Sequence, residues 1–267
     1  MASETRAKHV YTHGHDDSVL RSHRWRTIDN SAAYLLPFLR SGVDLLDVGC
    51  GPGNLTRDFA ARVAPGRVCG VDASAEIIAA ATRDYPDVEF TVGDVYNLPF
   101  ADESWDVVHA HQVLQHLADP VAALRQMRRV VRAGGIVAVR DSDYATFTWH
   151  PMSEGLERWL RLYHEIARAN GGEPDAGRRL YSWAQHVGFT RVDTFASSWC
   201  FATPSERAWW GGLWADRVTT SAIARQALAE GRATREDLTS MADAWRTWAA
   251  ADDGWFALLH GEIICTR

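Results

Sequence analysis

Between Leu45 and Thr56 the chain reads Leu-Leu-Asp-Val-Gly-Cys-Gly-Pro-Gly-Asn-Leu-Thr, and this stretch restricts the possible folds more than any other. An apolar run ends at Asp47 and Val48. It then breaks into three alternating glycines, Gly49, Gly51 and Gly53, before an amphipathic helix begins near Leu55. A second apolar strand, Arg67-Val-Cys-Gly-Val71, follows and closes on an acid, Asp72. A strand, a glycine turn, a helix and a strand ending in a carboxylate describe the first half of a nucleotide-binding α/β sheet. The glycines let the backbone turn tightly and approach a ligand with no Cβ in the way. The carboxylate can accept both hydroxyls of a ribose. The segment is expected to be a cofactor site.

Glycine spacing decides which cofactor. The dinucleotide fingerprint G-x-G-x-x-G sets a pyrophosphate on a helix N-terminus. Here the third glycine comes one residue early, and Asn54 stands where the last one belongs. The G-x-G-x-G pattern resembles motif I of the class I S-adenosylmethionine-dependent methyltransferases, whose cofactor has a ribose but no phosphate. Downstream, Glu89-Phe-Thr-Val-Gly-Asp94-Val-Tyr-Asn-Leu-Pro-Phe100 looks like that family's third strand, with a Gly-Asp pair for the adenine amino group. Ser104–His111 resembles the fourth strand, with Gln112-Val-Leu-Gln-His116 leaving it. Leu124–Val131 is an amphipathic helix, and Ala133-Gly-Gly135 turns into a fifth strand, Ile136–Val139. The resemblance spans residues 44–143 and is nearest to the ubiquinone/menaquinone-biosynthesis-type small-molecule methyltransferases.

What the resemblance implies is specific. The fold would be α/β, a Rossmann-like seven-stranded sheet, mostly parallel with an antiparallel edge, with helices on both faces. S-adenosyl-L-methionine would be the cofactor and S-adenosyl-L-homocysteine the product. Cofactor contacts would come from Asp47, Gly49, Gly51, Gly53 and Asn54 in the first loop, and from Asp72, Ala73 and Ile77 after the second strand. Gly93, Asp94, Val95, His111 and Gln112 would complete that site, with Tyr11, His15 and His23 folding over it from the N-terminal segment.

Composition narrows the acceptor. The 267-residue chain carries a formal net charge of −6, whereas phosphate binding needs a basic surface. A nucleic-acid substrate is therefore not expected, and pairs such as Arg128-Arg129 and Arg178-Arg179 read as solvated helix faces. The four cysteines, Cys50, Cys69, Cys200 and Cys265, have no C-x-x-C spacing, and three suit small buried apolar positions, so no disulfide or zinc framework is indicated. The N-terminal stretch lacks a signal peptide's apolar core, and no run approaches the ~18 residues of a membrane span. A cytoplasmic monomer or homodimer acting on a small molecule is the expectation.

Beyond the core, residues 1–43 read as an N-terminal helical cover. Asp17 or Ser18 is placed as one helix cap and Asn30 or Ser31 as the next, with an apolar face of Ala33, Leu36 and Leu39. Residues 44–204 and 252–267 form the sheet domain, and 205–251 a helical insertion between the last two strands, Arg191–Phe201 and Trp255–Cys265. An insertion of that length suggests a lid. Ten of the 12 tryptophans follow residue 144. Tryptophan offers a large apolar face with one N–H donor, which suits a wall against a flat aromatic substrate and equally suits a thin helical core.

Methyl transfer demands alignment and exclusion of water, plus a general base if the nucleophile is protonated. His116, Tyr144 and His15 are the candidate catalytic groups. Gln115, Arg140, Asp143, Trp209, Trp210 and Trp214 are the candidate acceptor contacts. The spacing of His13 and His15 lacks a third metal ligand nearby, so no metal is expected. Two other readings share the glycine turn and Asp72: an NAD(P)-dependent oxidoreductase and a non-catalytic cofactor-binding module. The early third glycine and the Gly93-Asp94 pair count against the first.

Overall fold

The structure, a computed structural model, describes residues 17–267, with side-chain surroundings from residue 20 onward. Helix α1 (Asp17–Arg24) is followed by the single turn α2 (Ile28–Ser31) and a 3-10 segment at Ala33–Phe38. The core then runs β1 (Leu45–Val48), α3 (Asn54–Val63), β2 (Val68–Asp72), α4 (Ala75–Asp84), β3 (Glu89–Val92) and β4 (Trp105–His111). It continues through α5 (Pro120–Val130), β5 (Val131–His150), α6 (Glu154–Ala169), α7 (Leu180–Val187) and β6 (Arg191–Phe201). Helices α8 (Pro204–Thr220), α9 (Ala222–Ala229) and α10 (Arg235–Ala250) precede the last strand, β7 (Trp255–Thr266).

The seven strands lie in the order β3-β2-β1-β4-β5-β7-β6. Strands β1 to β5 pair in parallel, and β7 runs antiparallel between β5 and β6. All four residues of β1 are buried, as a central strand covered by helices on both faces requires. Chain direction across the sheet reverses at β1 and β4, and the crevice beyond their C-terminal ends is where open α/β sheets take ligands. One apolar core packs α5 and α7 on one face, around Met127 and Leu180. Another packs α3 and the 3-10 segment on the opposite face, around Phe59 and Leu35.

Three local expectations change. Thr27, not Asn30 or Ser31, caps α2: its hydroxyl accepts the Asn30 N–H at 3.3 Å, while Asn30 Oδ1 accepts the Thr27 N–H at 2.8 Å. This reciprocal box uses both residues one turn apart. Because Pro37 sits in a 3-10 segment rather than an α-helix, the buried face is Ala32, Leu35 and Leu39, and Ala33 is exposed. The fifth strand is also longer than Ile136–Val139. It runs to His150, because β7 keeps pairing with it past the end of β4, resuming at Thr148 and Ala257 after an irregularity.

That extension builds a third core. The far ends of β5, β6 and β7 support α6, α8 and α10, with Trp159, Trp210, Trp214, Trp245 and Trp248 packed together. The insertion joins β6 to β7, whose residues pair from Arg191 with Thr266 to Phe201 with Phe256. Cys50, Cys69 and Cys265 are buried, whereas Cys200 is exposed. No helix among the described residues is long and apolar enough to cross a membrane.

Candidate active site

The loop after β1 folds back on β2. Gly49 and Cys50 both donate their N–H to the Val71 carbonyl, at 2.7 and 3.1 Å. Asp72 then ties loop to strand. Its Oδ2 accepts the Gly51 N–H at 3.1 Å and its Oδ1 the Ser74 N–H at 3.0 Å. Two of the glycines act differently. Gly51, at φ +54°, faces open space, where an added Cβ would find only His23 Nδ1 at 3.7 Å. Gly53, at φ +84°, packs inward: a Cβ there would lie 2.6 Å from Phe90 Cζ. The left-handed backbone admits glycine at both places.

The loop borders a cavity of about 660 Å³. Asp47, Gly49, Gly51, Asn54, Asp72, Ala73, Ile77, Gly93, Asp94, Val95, His111, Gln112 and His23 all line it. Gly53 stands behind it. Tyr11, His13 and His15 lie outside the described residues. Asp47 has both carboxylate oxygens engaged inside the protein, by Thr56 Oγ1 at 2.7 Å and His109 Nδ1 at 2.8 Å. The cavity also takes Arg26, Tyr96, Leu20 and Leu117, which sequence reasoning passed over.

A second, nearly closed cleft of about 20 Å³ adjoins it and shares His23, Arg26, Gln112 and His116. Its remaining walls are mostly rings: Trp25, Tyr144, Phe147, Trp199, Trp210 and Trp214. Arg217, Ser22, Ser142 and Leu258 complete it. Gln112 is the partition. It holds φ +54°, uncommon for a residue with a side chain, and follows directly on the end of β4. Its Oε1 accepts from Arg26 Nη2. Its Nε2 donates to Ser142 Oγ at 2.7 Å and lies 2.9 Å from His260 Nε2.

The N-terminal helices and the insertion meet over this cleft. Arg21 pairs with Asp216 at 2.6 Å, and Arg217 Nη2 donates to Ser22 Oγ at 3.0 Å. Trp25 packs edge-on to Trp199 at 5.0 Å and lies 5.2 Å from Trp209, while Trp199 Nε1 donates to the Asn30 carbonyl at 2.6 Å.

The sequence-predicted catalytic and acceptor residues divide accordingly. His116 faces both spaces. Tyr144 lines the cleft, stacked on Tyr163 at 4.0 Å and Phe147 at 4.3 Å, and burial raises its pKa, so it stays a neutral phenol. Trp210 and Trp214 line the cleft; Trp209 sits behind, against Trp25 and Phe201. Gln115 lines neither space and holds His116 instead, Nε2 to Nε2 at 3.1 Å. Arg140 is buried in an ion pair with Glu262 at 2.9 Å, its guanidinium 4.9 Å from the Trp199 ring. Burial lowers its pKa to about 10, so it remains charged. Asp143 does not reach the cleft. Side chains alternate along a strand, and its carboxylate turns to Arg178, at 2.6 Å from both Nε and Nη2.

Burial dominates the electrostatics. His111 and His260 are held well below the usual histidine range, first by burial and then by neighbours that include Arg26 and Arg140, so both rings are neutral. Asp141, wholly buried, accepts the Gln115 backbone N–H at 3.2 Å. Desolvation pushes its pKa up to about 8 despite that bond. Among the described residues no group of three His, Cys, Asp or Glu could hold a metal ion.

The family described as "Methyltransferase domain" matches residues 46–139. An uncharacterized methyltransferase of Schizosaccharomyces pombe is 33% identical over 268 residues, covering 95% of both chains. A demethylmenaquinone methyltransferase of Renibacterium salmoninarum is 33% identical over 160 residues, 60% of this chain and 64% of that one. Among solved structures, a Haemonchus contortus phosphoethanolamine N-methyltransferase 2 in complex with S-adenosyl-L-methionine superposes with a TM-score of 0.55. It is 18% identical and covers 88% of this chain and 51% of that chain, a likeness of fold.

Proposed function

The chain belongs to the S-adenosylmethionine-dependent methyltransferases, and from that premise we propose that it methylates a small, flat aromatic or polycyclic acceptor held in the ring-lined cleft. Membership sets aside the oxidoreductase and the non-catalytic module. The observation that carries the acceptor reading is the shared wall: four side chains, His23, Arg26, Gln112 and His116, border both the larger cavity and the cleft.

The larger cavity fits the cofactor on its own geometry. Its volume falls in the range of small-molecule sites, and the open space at Gly51, which any Cβ would enter, leaves a cradle for a ligand. Asp72 stands at its edge as an acceptor for ribose hydroxyls, Asp94 as one for the adenine amino group. Bound there, the cofactor supplies an electrophilic methyl carbon on its sulfonium.

The protein's share is to position and enclose the acceptor. Six aromatic rings make an apolar slot, and Trp210 Nε1 has no hydrogen-bond partner among the described residues, leaving a donor for an acceptor oxygen. A cleft of about 20 Å³ holds roughly one water, so an aromatic ring enters only when its walls part. Residues 1–43 then act as the cofactor cover and residues 205–251 as the lid, opening at the Arg21–Asp216 and Trp25–Trp209 contacts. Relatives named as a demethylmenaquinone methyltransferase and a 2-phytyl-1,4-naphthoquinone methyltransferase support a flat acceptor.

The test is an acceptor panel. Purified chain with S-adenosylmethionine is offered 1,4-dihydroxynaphthalene, 2-naphthol and indole beside ethanolamine and glycine, with methylated product and S-adenosylhomocysteine read by mass spectrometry. Turnover confined to the aromatic compounds is expected. Turnover confined to the aliphatic amines overturns the acceptor reading and leaves the family membership intact.

A further inference from the structure

The imidazoles of His111 and His116 line the larger cavity, His116 also borders the cleft, and the protein engages them differently. His116 shares Nε2 with the Gln115 amide. His111 has no such engagement. It ends β4, is 5% exposed, lines the larger cavity, and neither Nδ1 nor Nε2 has a hydrogen-bond partner among the described residues. A neutral imidazole has one N–H donor and one lone-pair acceptor, and folded proteins rarely bury both unsatisfied. A ring in that state, facing a ligand cavity, is left for something the ligands bring.

Its surroundings fix its charge. Trp199 on β6 and His260 on β7 lie at ring-centroid distances of 6.0 and 6.3 Å. Arg26 precedes α2, Arg140 comes from β5, and His109 stands two residues back on β4; burial and these groups oppose protonation. At neutral pH the lone pair is therefore available.

We propose that His111 is the proton acceptor of the reaction, taking at a ring nitrogen the proton that an aromatic hydroxyl gives up as it is methylated. The inference rests on the aromatic-acceptor reading and adds the class of nucleophile, a phenol or quinol. In the step, the O–H bond breaks with its electron pair left on oxygen, and oxygen bonds the methyl carbon. The proton goes to His111, and the pair of the old carbon–sulfur bond stays on sulfur. One positive charge leaves the site as another appears, so the buried imidazolium forms without raising the local charge beside Arg26 and Arg140. The imidazolium returns its proton to water when the cleft opens. A weakly basic ring suffices for the transfer, because the O–H proton becomes strongly acidic as its oxygen bonds the methyl carbon.

The experiment uses the full chain with 15N-labelled histidine rings and indoles, saturated with S-adenosylhomocysteine and titrated with 2-naphthol. His111 is expected to keep one unprotonated nitrogen at pH 7, and that nitrogen's signal is expected to shift as naphthol binds. His111→Gln, assayed at saturating S-adenosylmethionine so that any loss of cofactor affinity does not enter, should methylate 2-naphthol about 100-fold more slowly or worse. A doubly protonated His111 at pH 7 overturns the proposal, as does unchanged turnover in the variant. Naphthol-dependent shifts of the Trp199 and Trp210 indoles with His111 unmoved overturn it while leaving the aromatic-acceptor reading standing. No shift at any indole overturns that reading, and this proposal with it.

Discussion

Gln115 Nε2 lies 3.1 Å from His116 Nε2, and Gln115 Oε1 accepts the Ser142 backbone N–H at 3.0 Å. The Ser142 N–H can only donate, so the carbonyl end of the amide must face it. The NH2 end therefore faces His116, whose Nε2 is the acceptor and whose proton resides on Nδ1. Gln115→Glu replaces that donor with a carboxylate. The ring proton of His116 should then move from Nδ1 to Nε2 to meet the new acceptor. Ring 15N shifts of both proteins at one pH check this; the same tautomer in both contradicts the amide orientation.

The cofactor loop offers a cleaner steric test at Gly51. Its Cβ direction is open but for His23, so Gly51→Val fills the cradle without striking the core. The protein should fold, with a backbone penalty of about 1–3 kcal/mol for a left-handed valine, and lose measurable S-adenosylmethionine binding by calorimetry. Gly49 is a poorer choice, because a Cβ there meets Val113 Cγ2 at 2.4 Å, a protein clash rather than a ligand clash.

Trp210 tests the cleft wall. It is buried, stacked on Phe201 at 4.4 Å and 6.0 Å from Phe256, so truncation to alanine would cost about 3–5 kcal/mol of stability and confuse the reading. Trp210→Phe keeps a ring and removes the unpartnered N–H. Acceptor KM should rise or kcat fall by about tenfold, or 1.4 kcal/mol, with S-adenosylmethionine affinity unchanged. Steady-state kinetics on whichever panel compound turns over separates the two.

Asp141 makes stability depend on pH. Its folded pKa of about 8 lies above the usual value near 3.9 for an unfolded aspartate. Between those values the native state binds the extra proton, so stability is fully present below about pH 4 and falls as pH rises towards 8. Asp141→Asn, which removes the titration, should flatten that slope. Urea midpoints at pH 5.5 and 8.0 for both proteins measure it; parallel slopes contradict a buried neutral acid.

Legibility followed the range of the interactions. The glycine turn and Asp72 were visible because their roles are local: backbone angles at Gly51 and Gly53, and two N–H bonds to one carboxylate. The insertion between the last strands was visible from its length and helical pattern. The cleft was not, because Phe147, Trp199 and Leu258 come from three distant strands that only the antiparallel β5-β7-β6 pairing brings together, and Trp25 meets them from the N-terminal segment. Arg140 and Asp143 line neither space, a placement set by the same long-range pairing: β5 continues as a strand, with one paired to Glu262 and the other to Arg178. Strand alternation from Arg140 through Ser142 to Tyr144 was the available signal, hidden by ending the strand at Val139.

The most direct test of the central claim is a crystal structure of the chain with S-adenosylhomocysteine and 2-naphthol. The account predicts the nucleoside against Gly51, Asp72 and Asp94, and the naphthol ring between Trp210 and Tyr144 with its hydroxyl toward His111 and Gln112. Naphthol seated away from those rings, with the cofactor correctly placed, would contradict the assignment of the cleft as the acceptor site.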